Sequence, residues 1–294
     1  MAPAGSSSKL PDFEAGVEYW TNTAASVDGV LGGYGHGTPV PRLDATSSRL
    51  LILSVLPELS TVTPPHKGST DTLRTRQRKY KALDCGAGIG RVSATVLLPL
   101  FDQVDLVEPV SKFLQQAKLN AEIGSDGWKG VKQGDKSARL WLAGLQYFDP
   151  LQPALPVAGG KSQLFAAVGS TSLAWPDPAT ALNVGEDGYD LIMIQWCIGH
   201  LSDEQLVDFL KRSRRALRQD QDECQGYIIL KENICKDEES NGAGIIFDDD
   251  DSSVTRSDKV FKRIFEQAGL SLVRRELQMG FPKELFQVMS YVLR

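Results

Sequence analysis

The stretch KYKALDCGAGIGRVSATVLL, residues 79–98, decides the fold. KYKALD (79–84) reads as a strand, and it runs straight into the glycine-rich turn CGAGIGR and then the helical VSATVLL. Glycines let the backbone come close to a ligand and free its N–H groups for contact at a helix start. QVDLVE (103–108) is a second strand and SKFLQQAKLN (111–120) a following helix. ARLWLA (138–143), YDLIMIQW (189–196) and GYIILKEN (226–233) read as further strands. After the fourth of these, Ser202 caps a helix, with Gln205 completing a capping box and Leu206, Leu210 and Leu217 on one face. DKVFKRIFEQAG (258–269) is a helix ended by Gly269. SLVRREL and LFQVMSYVL close the chain as two strands whose connection is too short for a crossover helix, so they are expected to pair antiparallel.

Strands alternating with helices predict an α/β fold: a mostly parallel sheet with helices on both faces and a C-terminal antiparallel hairpin. Ahead of it, Phe13, Val17 and Trp20 form one helical stripe, and a second helix is expected around Asp44 to Leu56. Between them VDGVLGGYGHG (27–37) holds five glycines in eleven residues, the mark of a specially shaped loop. The organisation expected is a loose tail over 1–10, an N-terminal helical extension with the glycine-rich loop over 11–59, and a catalytic domain over 60–294. Residues 60–78 read as a polar, basic surface loop, and 149–188, with five prolines, as a surface insertion that fits no element.

The chain has 294 residues, of which 32 are Lys or Arg and 37 Asp or Glu, for a net charge of −5. A salt-sensitive grip on nucleic acid needs the opposite balance, so a basic partner is favoured and direct nucleic-acid binding is not expected. Four cysteines without Cys-x-x-Cys spacing and three histidines are too few for a zinc site and read as free thiols in a reducing compartment. No metal, signal peptide or membrane span is expected.

Ligands of open parallel sheets sit beyond the strand carboxyl ends. Asp84, Gly86, Gly88, Gly90 and Arg91 fall there, and Glu108 ends the next strand eighteen residues past Gly90. An acid at that point can accept both hydroxyls of a ribose. The dinucleotide fingerprint needs G-x-G-x-x-G, whereas these glycines are spaced G-x-G-x-G, and no G-x-x-x-x-G-K-[ST] occurs. Asp-x-Gly-x-Gly with an acid on strand two is the pattern of S-adenosylmethionine-dependent methyltransferases.

VDGVLGGYGH (27–36), LDCGAGIGR (83–91), VLLPLF (96–101), GLQ (144–146), IQWCIGHL (194–201), KEN (231–233) and DSSVTR (251–256) follow in this order. Together they resemble the α-N-terminal protein methyltransferases, over about Tyr19 to Arg294. The resemblance implies a Rossmann-like, seven-stranded methyltransferase sheet using S-adenosyl-L-methionine and leaving S-adenosyl-L-homocysteine. It implies protein substrates beginning X-Pro-Lys after Met removal, ribosomal proteins among them, and one to three methyl transfers, in the cytoplasm and also the nucleus. For the cofactor it implies Gly86, Gly88, Arg91, Glu108, Pro109, Val110, Leu145, Gln146 and Gln195, with Arg91 on the methionine carboxylate and Glu108 on the ribose. For catalysis it implies Asp251 and His200 as candidate bases and Asn233 as the residue that positions the amine. For the peptide it implies Trp20, Leu31, Trp196 and Leu285 around a proline slot, with Asp248 and Ser253, and less surely Asp249, facing a lysine. Tyr19 fits a channel cover and ordinary helix packing equally. Gly37 and Phe286 depart from the family's usual residues. Two rivals stand beside this reading: a small-molecule methyltransferase, and a non-catalytic relative that binds N-terminal peptides. A nicotinamide dehydrogenase is weaker, because its third glycine is misplaced.

Overall fold

The computed structural model describes residues 9–60, 78–157, 159–170, 180–221, 223–237 and 244–294. Most of the expected tail and of the basic loop, residues 1–8 and 61–77, lies outside the described residues. Three helices lead: α1 (Phe13–Asn22), α2 (Val27–Val30) and α3 (Val40–Val55). Then come β1 (Lys81–Cys85), β2 (Gln103–Glu108), α4 (Ser111–Ile123), α5 (Lys129–Lys132), β3 (Ser137–Ala143), β4 (Ser162–Gly169) and β5 (Leu191–Gln195). The rest is α6 (Asp203–Arg215), the short pair β6 (Gln219–Asp220) and β7 (Glu223–Cys224), β8 (Tyr227–Cys235), β9 (Ile245–Asp248), β10 (Ser253–Ser257), α7 (Asp258–Gln267), β11 (Leu272–Leu277) and β12 (Gln287–Leu293).

β1, β2 and β5 are buried along their whole length, as strands covered on both faces must be. They order the sheet as β11-β12-β8-β5-β1-β2-β3-β4, with β10 beside β8 and β9 beside β10. β1 pairs in parallel with both β2 and β5, so the chain leaves the sheet centre in opposite directions and opens a crevice at that switch point. Alternate strand residues feed two cores. Leu83 and Cys85 pack with α6 and α7 on one face. Ala82, Val104 and Leu106 pack with α3 and α4 on the other. On α7, Val260, Phe261, Ile264 and Phe265 are buried, a stripe at helical spacing; each such side chain contributes about 1.5–3 kcal/mol on burial. Ser202 caps α6 in the expected capping box.

β11 and β12 form the expected antiparallel hairpin. One expectation needs correction. The 149–188 segment is not without an element: β4 lies inside it and pairs antiparallel with β3, from Ser137↔Gly169 to Ala143↔Ser162. Leu151 and Ala154 pack on the core, and Leu182 is buried. β4 is a half-exposed edge strand, so SQLFAAVG shows no clean two-residue apolar period. The aspartate run 248–251 turns the antiparallel hairpin β9–β10, with Asp248, Asp249 and Asp250 exposed and Asp251 half-buried. The seven expected strands are all present, as β1, β2, β3, β5, β8, β11 and β12, and β4, β9 and β10 extend the sheet to ten among the described residues.

Candidate active site

The carboxyl ends of β1, β2, β3, β5 and β8 converge on two adjoining cavities. At the end of β1, Gly86 (φ 63°) and Gly88 (φ 55°) hold left-handed backbone conformations. A Cβ on Gly86 would lie 2.2 Å from the Cys197 Cβ, which excludes any larger residue there. A Cβ on Gly88 would meet nothing nearer than Val30 at 3.8 Å, so this turn offers bare backbone to open space. Glu108 ends β2 and accepts the Gly88 N–H at 2.8 Å and the Val110 N–H at 2.9 Å. Burial pushes its carboxyl up to about 7, against those two N–H groups. The first cavity, of about 110 Å³, is walled by Gly86, Gly88, Glu108, Pro109, Val110, Leu145 and Gln146, and roofed by Phe13, Gly16, Val17 and Trp20 of α1. Apolar walls, a side-chain-free glycine turn and one acid at the end of β2 fit an adenosine with its ribose.

The second cavity, of about 280 Å³, shares Trp20, Val30, Trp196 and His200 with the first. Leu31, Glu232, Asn233, Asp251, Ser253, Leu285 and Phe286 complete much of its lining. His200 Nε2 accepts the Trp20 indole N–H at 2.9 Å and lies 3.9 Å from Asp251 Oδ2. Burial lowers the His200 pKa, with Asp251 opposing, so the ring is neutral; the Trp20 bond assigns its proton to Nδ1. Asp251 Oδ1 is buried without a partner. Trp196 ends the strand with φ 52°, a conformation that costs a bulky residue about 1–3 kcal/mol. That twist puts its ring beside Phe281 and on the border of both cavities.

Not every candidate lines these cavities. Arg91 and Gln195 turn instead to Asp44 of α3. Arg91 Nη1 donates to it at 2.6 Å, Gln195 Nε2 to both its oxygens at 2.9 Å, and Lys231 Nζ at 2.6 Å. Burial pushes the Asp44 carboxyl up, but Arg91 and Lys231 outweigh it and hold it below its ordinary value. Asp248 is exposed and accepts the Asp250 N–H at 2.9 Å, and Asp249 pairs with Lys9 at 2.5 Å. Tyr19 is 42% exposed and packs edge-on against Trp20. Gly37 borders neither cavity. Sequence reasoning misses Asp44, Lys231 and Glu232. The available signal is KEN, charged residues directly continuing the buried apolar run of β8.

A family model described as AdoMet-dependent proline di-methyltransferase matches residues 9–156 and 177–294. The chain belongs to this family. It is an S-adenosylmethionine-dependent protein N-terminal methyltransferase. The human N-terminal Xaa-Pro-Lys N-methyltransferase 1 is 36% identical over 94% of this chain and 92% of its own length. The alpha N-terminal protein methyltransferase 1 of Arabidopsis thaliana is 35% identical over 96% and 79%. A solved SAM-dependent methyltransferase from Leishmania major superposes with a TM-score of 0.64 at 30% identity, covering 96% of this chain and 82% of that one. Magnesium protoporphyrin IX methyltransferase from Synechocystis, at 12% identity and a TM-score of 0.54 over 98% and 99%, shares the fold alone.

Proposed function

We propose that this methyltransferase moves methyl groups onto the α-amine of proteins with an exposed X-Pro-Lys N-terminus, up to three times, or to dimethyl-proline when X is Pro. One observation carries the reading. His200, Asn233, Asp251, Ser253, Trp196, Leu31 and Leu285, scattered over more than 250 positions of sequence, line one cavity that shares a wall with the glycine-turn cavity. The names of the relatives support the same substrate class.

The donor, when bound, supplies an electrophilic methyl group on sulfonium. Gly86, Gly88, Pro109, Val110, Leu145 and Gln146 enclose its adenosine in this reading, and Glu108 accepts the ribose hydroxyls. Arg91 serves the amino-acid carboxylate by sharing or exchanging its bond to Asp44, and Gln195 fixes Asp44 from below. An α-amine has a pKa of about 7.7–8.0 against about 10.4 for a lysine side chain, so modest help frees its lone pair. Asp251 helps by drawing the ammonium in, with a free buried oxygen and a neutral His200 beside it. Asn233 orients the amine, and the near-attack placement supplies much of the rate. The second residue, proline, lacks an N–H and lies against Trp196, Leu31 and Leu285. Ser253 and, at the rim, Asp248 face the lysine; Trp20 closes the roof. In this reading 11–59 is the cover, 60–294 the catalytic domain, and the enzyme works in the cytoplasm and nucleus, on ribosomal proteins among others.

Mass spectrometry of an X-Pro-Lys peptide incubated with enzyme and S-adenosylmethionine tests it. Stepwise methyl gain on the free peptide and none on the α-acetylated peptide is expected. Gain retained after acetylation rejects the assignment.

A further inference from the structure

Glu232 lies on β8 and is 8% exposed. Its Oε1 accepts the Asn233 N–H at 3.0 Å. Its Oε2 is buried and makes no well-aligned hydrogen bond, the nearby Ile198 and Cys197 N–H groups only favouring its charge, and the residue borders the second cavity beside Trp196, His200, Asn233 and Asp251. Leaving a buried carboxylate oxygen unpaired carries an uncompensated desolvation cost, so the site holds an acceptor for a donor that arrives later. Asp251 Oδ1 stands in the same condition on the same cavity, carried by a different element. Two carboxylates that border one cavity, each with an acceptor oxygen left over, suit an ammonium, which has three N–H donors and no acceptor.

We propose that Glu232 Oε2 receives the α-ammonium of the incoming protein N-terminus and takes the proton that must leave before the nitrogen can accept a methyl group. This deepens the function proposed above and rests on the terminal amine entering the second cavity. The ammonium N–H breaks, its electron pair stays on nitrogen, and Glu232 becomes a neutral acid. The nitrogen lone pair then forms the N–C bond as the C–S bond breaks and its pair returns to sulfur. The methylated product is again an ammonium with one N–H fewer. Glu232 gives its proton to water and takes the next one before a second transfer. His200 is less available for this, because its Nε2 is held by Trp20.

Burial pushes Glu232 up to about 7. The N–H groups of Asn233, Ile198 and Cys197 and the Arg256 guanidinium on β10 pull it down. Asp251 and His200 border the same cavity. That value is close to the α-amine's own, which suits reversible proton exchange.

Glu232→Gln keeps the size of the side chain and an acceptor for the Asn233 N–H. The experiment measures kcat/KM of the full chain for an X-Pro-Lys peptide against pH, and the affinity for S-adenosylhomocysteine by calorimetry. For Glu232→Gln we expect kcat/KM to fall at least about tenfold near neutral pH, with the loss shrinking toward about pH 9, where the amine arrives deprotonated. S-adenosylhomocysteine affinity stays unchanged, and Glu232→Asp recovers part of the neutral-pH rate. Unchanged kcat/KM, or a loss of the same size at every pH, overturns the proposal; the latter marks Glu232 as a brace for the Trp196–His200 turn. If the wild-type enzyme leaves the free amine unmethylated, the functional reading itself falls. If it methylates the amine and Glu232→Gln does so equally well, Glu232 alone is removed.

Discussion

Asp251 and His200 approach to 3.9 Å, yet they differ in what else holds them. His200 Nε2 is tied to Trp20, whereas Asp251 keeps a buried acceptor oxygen free, so of these two the carboxylate is the better partner for an incoming ammonium. Asp251→Asn is expected to lower turnover on an X-Pro-Lys peptide by about 100- to 10,000-fold, with S-adenosylhomocysteine affinity preserved in calorimetry. Wild-type turnover in that variant removes Asp251 from its role. At this scale the sequence is legible through its strings: IQWCIGH and DSSVTR name the residues that meet at the cavity. It is silent about Glu232 and Asp44, whose surroundings come from distant parts of the chain. The Lys231–Asp44 bond spans 187 positions, and no local pattern encodes it.

Two elements tune the site from outside the sheet. α1 roofs the first cavity and reaches His200 through the Trp20 indole N–H. Trp20→Phe keeps most of the ring but removes that donor. The imidazole is then freed to rotate, and kcat/KM for peptide is expected to drop several-fold while S-adenosylhomocysteine affinity changes little. A loss of cofactor affinity instead would mean that the roof serves the first cavity. α3 is pinned by Asp44, the shared acceptor for Arg91, Gln195 and Lys231. Asp44→Ala leaves two buried cations without their partner, and chemical denaturation should show a loss of about 3–5 kcal/mol. A loss below about 1 kcal/mol would show that the cluster relaxes into water. The buried parallel strands were readable because their apolar runs are continuous. β4 was not, since an edge strand built of small and polar residues lacks both period and run. The β9–β10 hairpin was hidden by its aspartate turn, a composition that solvated loops share.

Across the whole molecule the site stores unfavourable electrostatics. Burial pushes Asp84 up to about 6, and Glu108 and Glu232 to about 7. The folded chain therefore binds protons that the unfolded chain has already released above its ordinary carboxyl pKa of 3.8 or 4.5. Stability from these groups is present at low pH and is lost as pH rises through about 6 to 7. Without ligand, Tm is expected to be at least about 4 °C lower at pH 8 than at pH 5.5 in scanning calorimetry. Ribose hydroxyls donating to Glu108 favour its charged form, so S-adenosylhomocysteine should raise Tm more at pH 8 than at pH 5.5. A flat profile without ligand would show that these carboxyls remain hydrated.

Trp20, Val30, Trp196 and His200 belong to both chambers at once. Each occupant therefore presses on a partition that the other also touches, and the resulting free-energy linkage must be mutual. Whatever factor a seated peptide adds to donor affinity, a seated donor adds to peptide affinity. The spent donor inherits the same bookkeeping, so the tightness with which it lingers sets how readily a once-methylated chain leaves before its next turn.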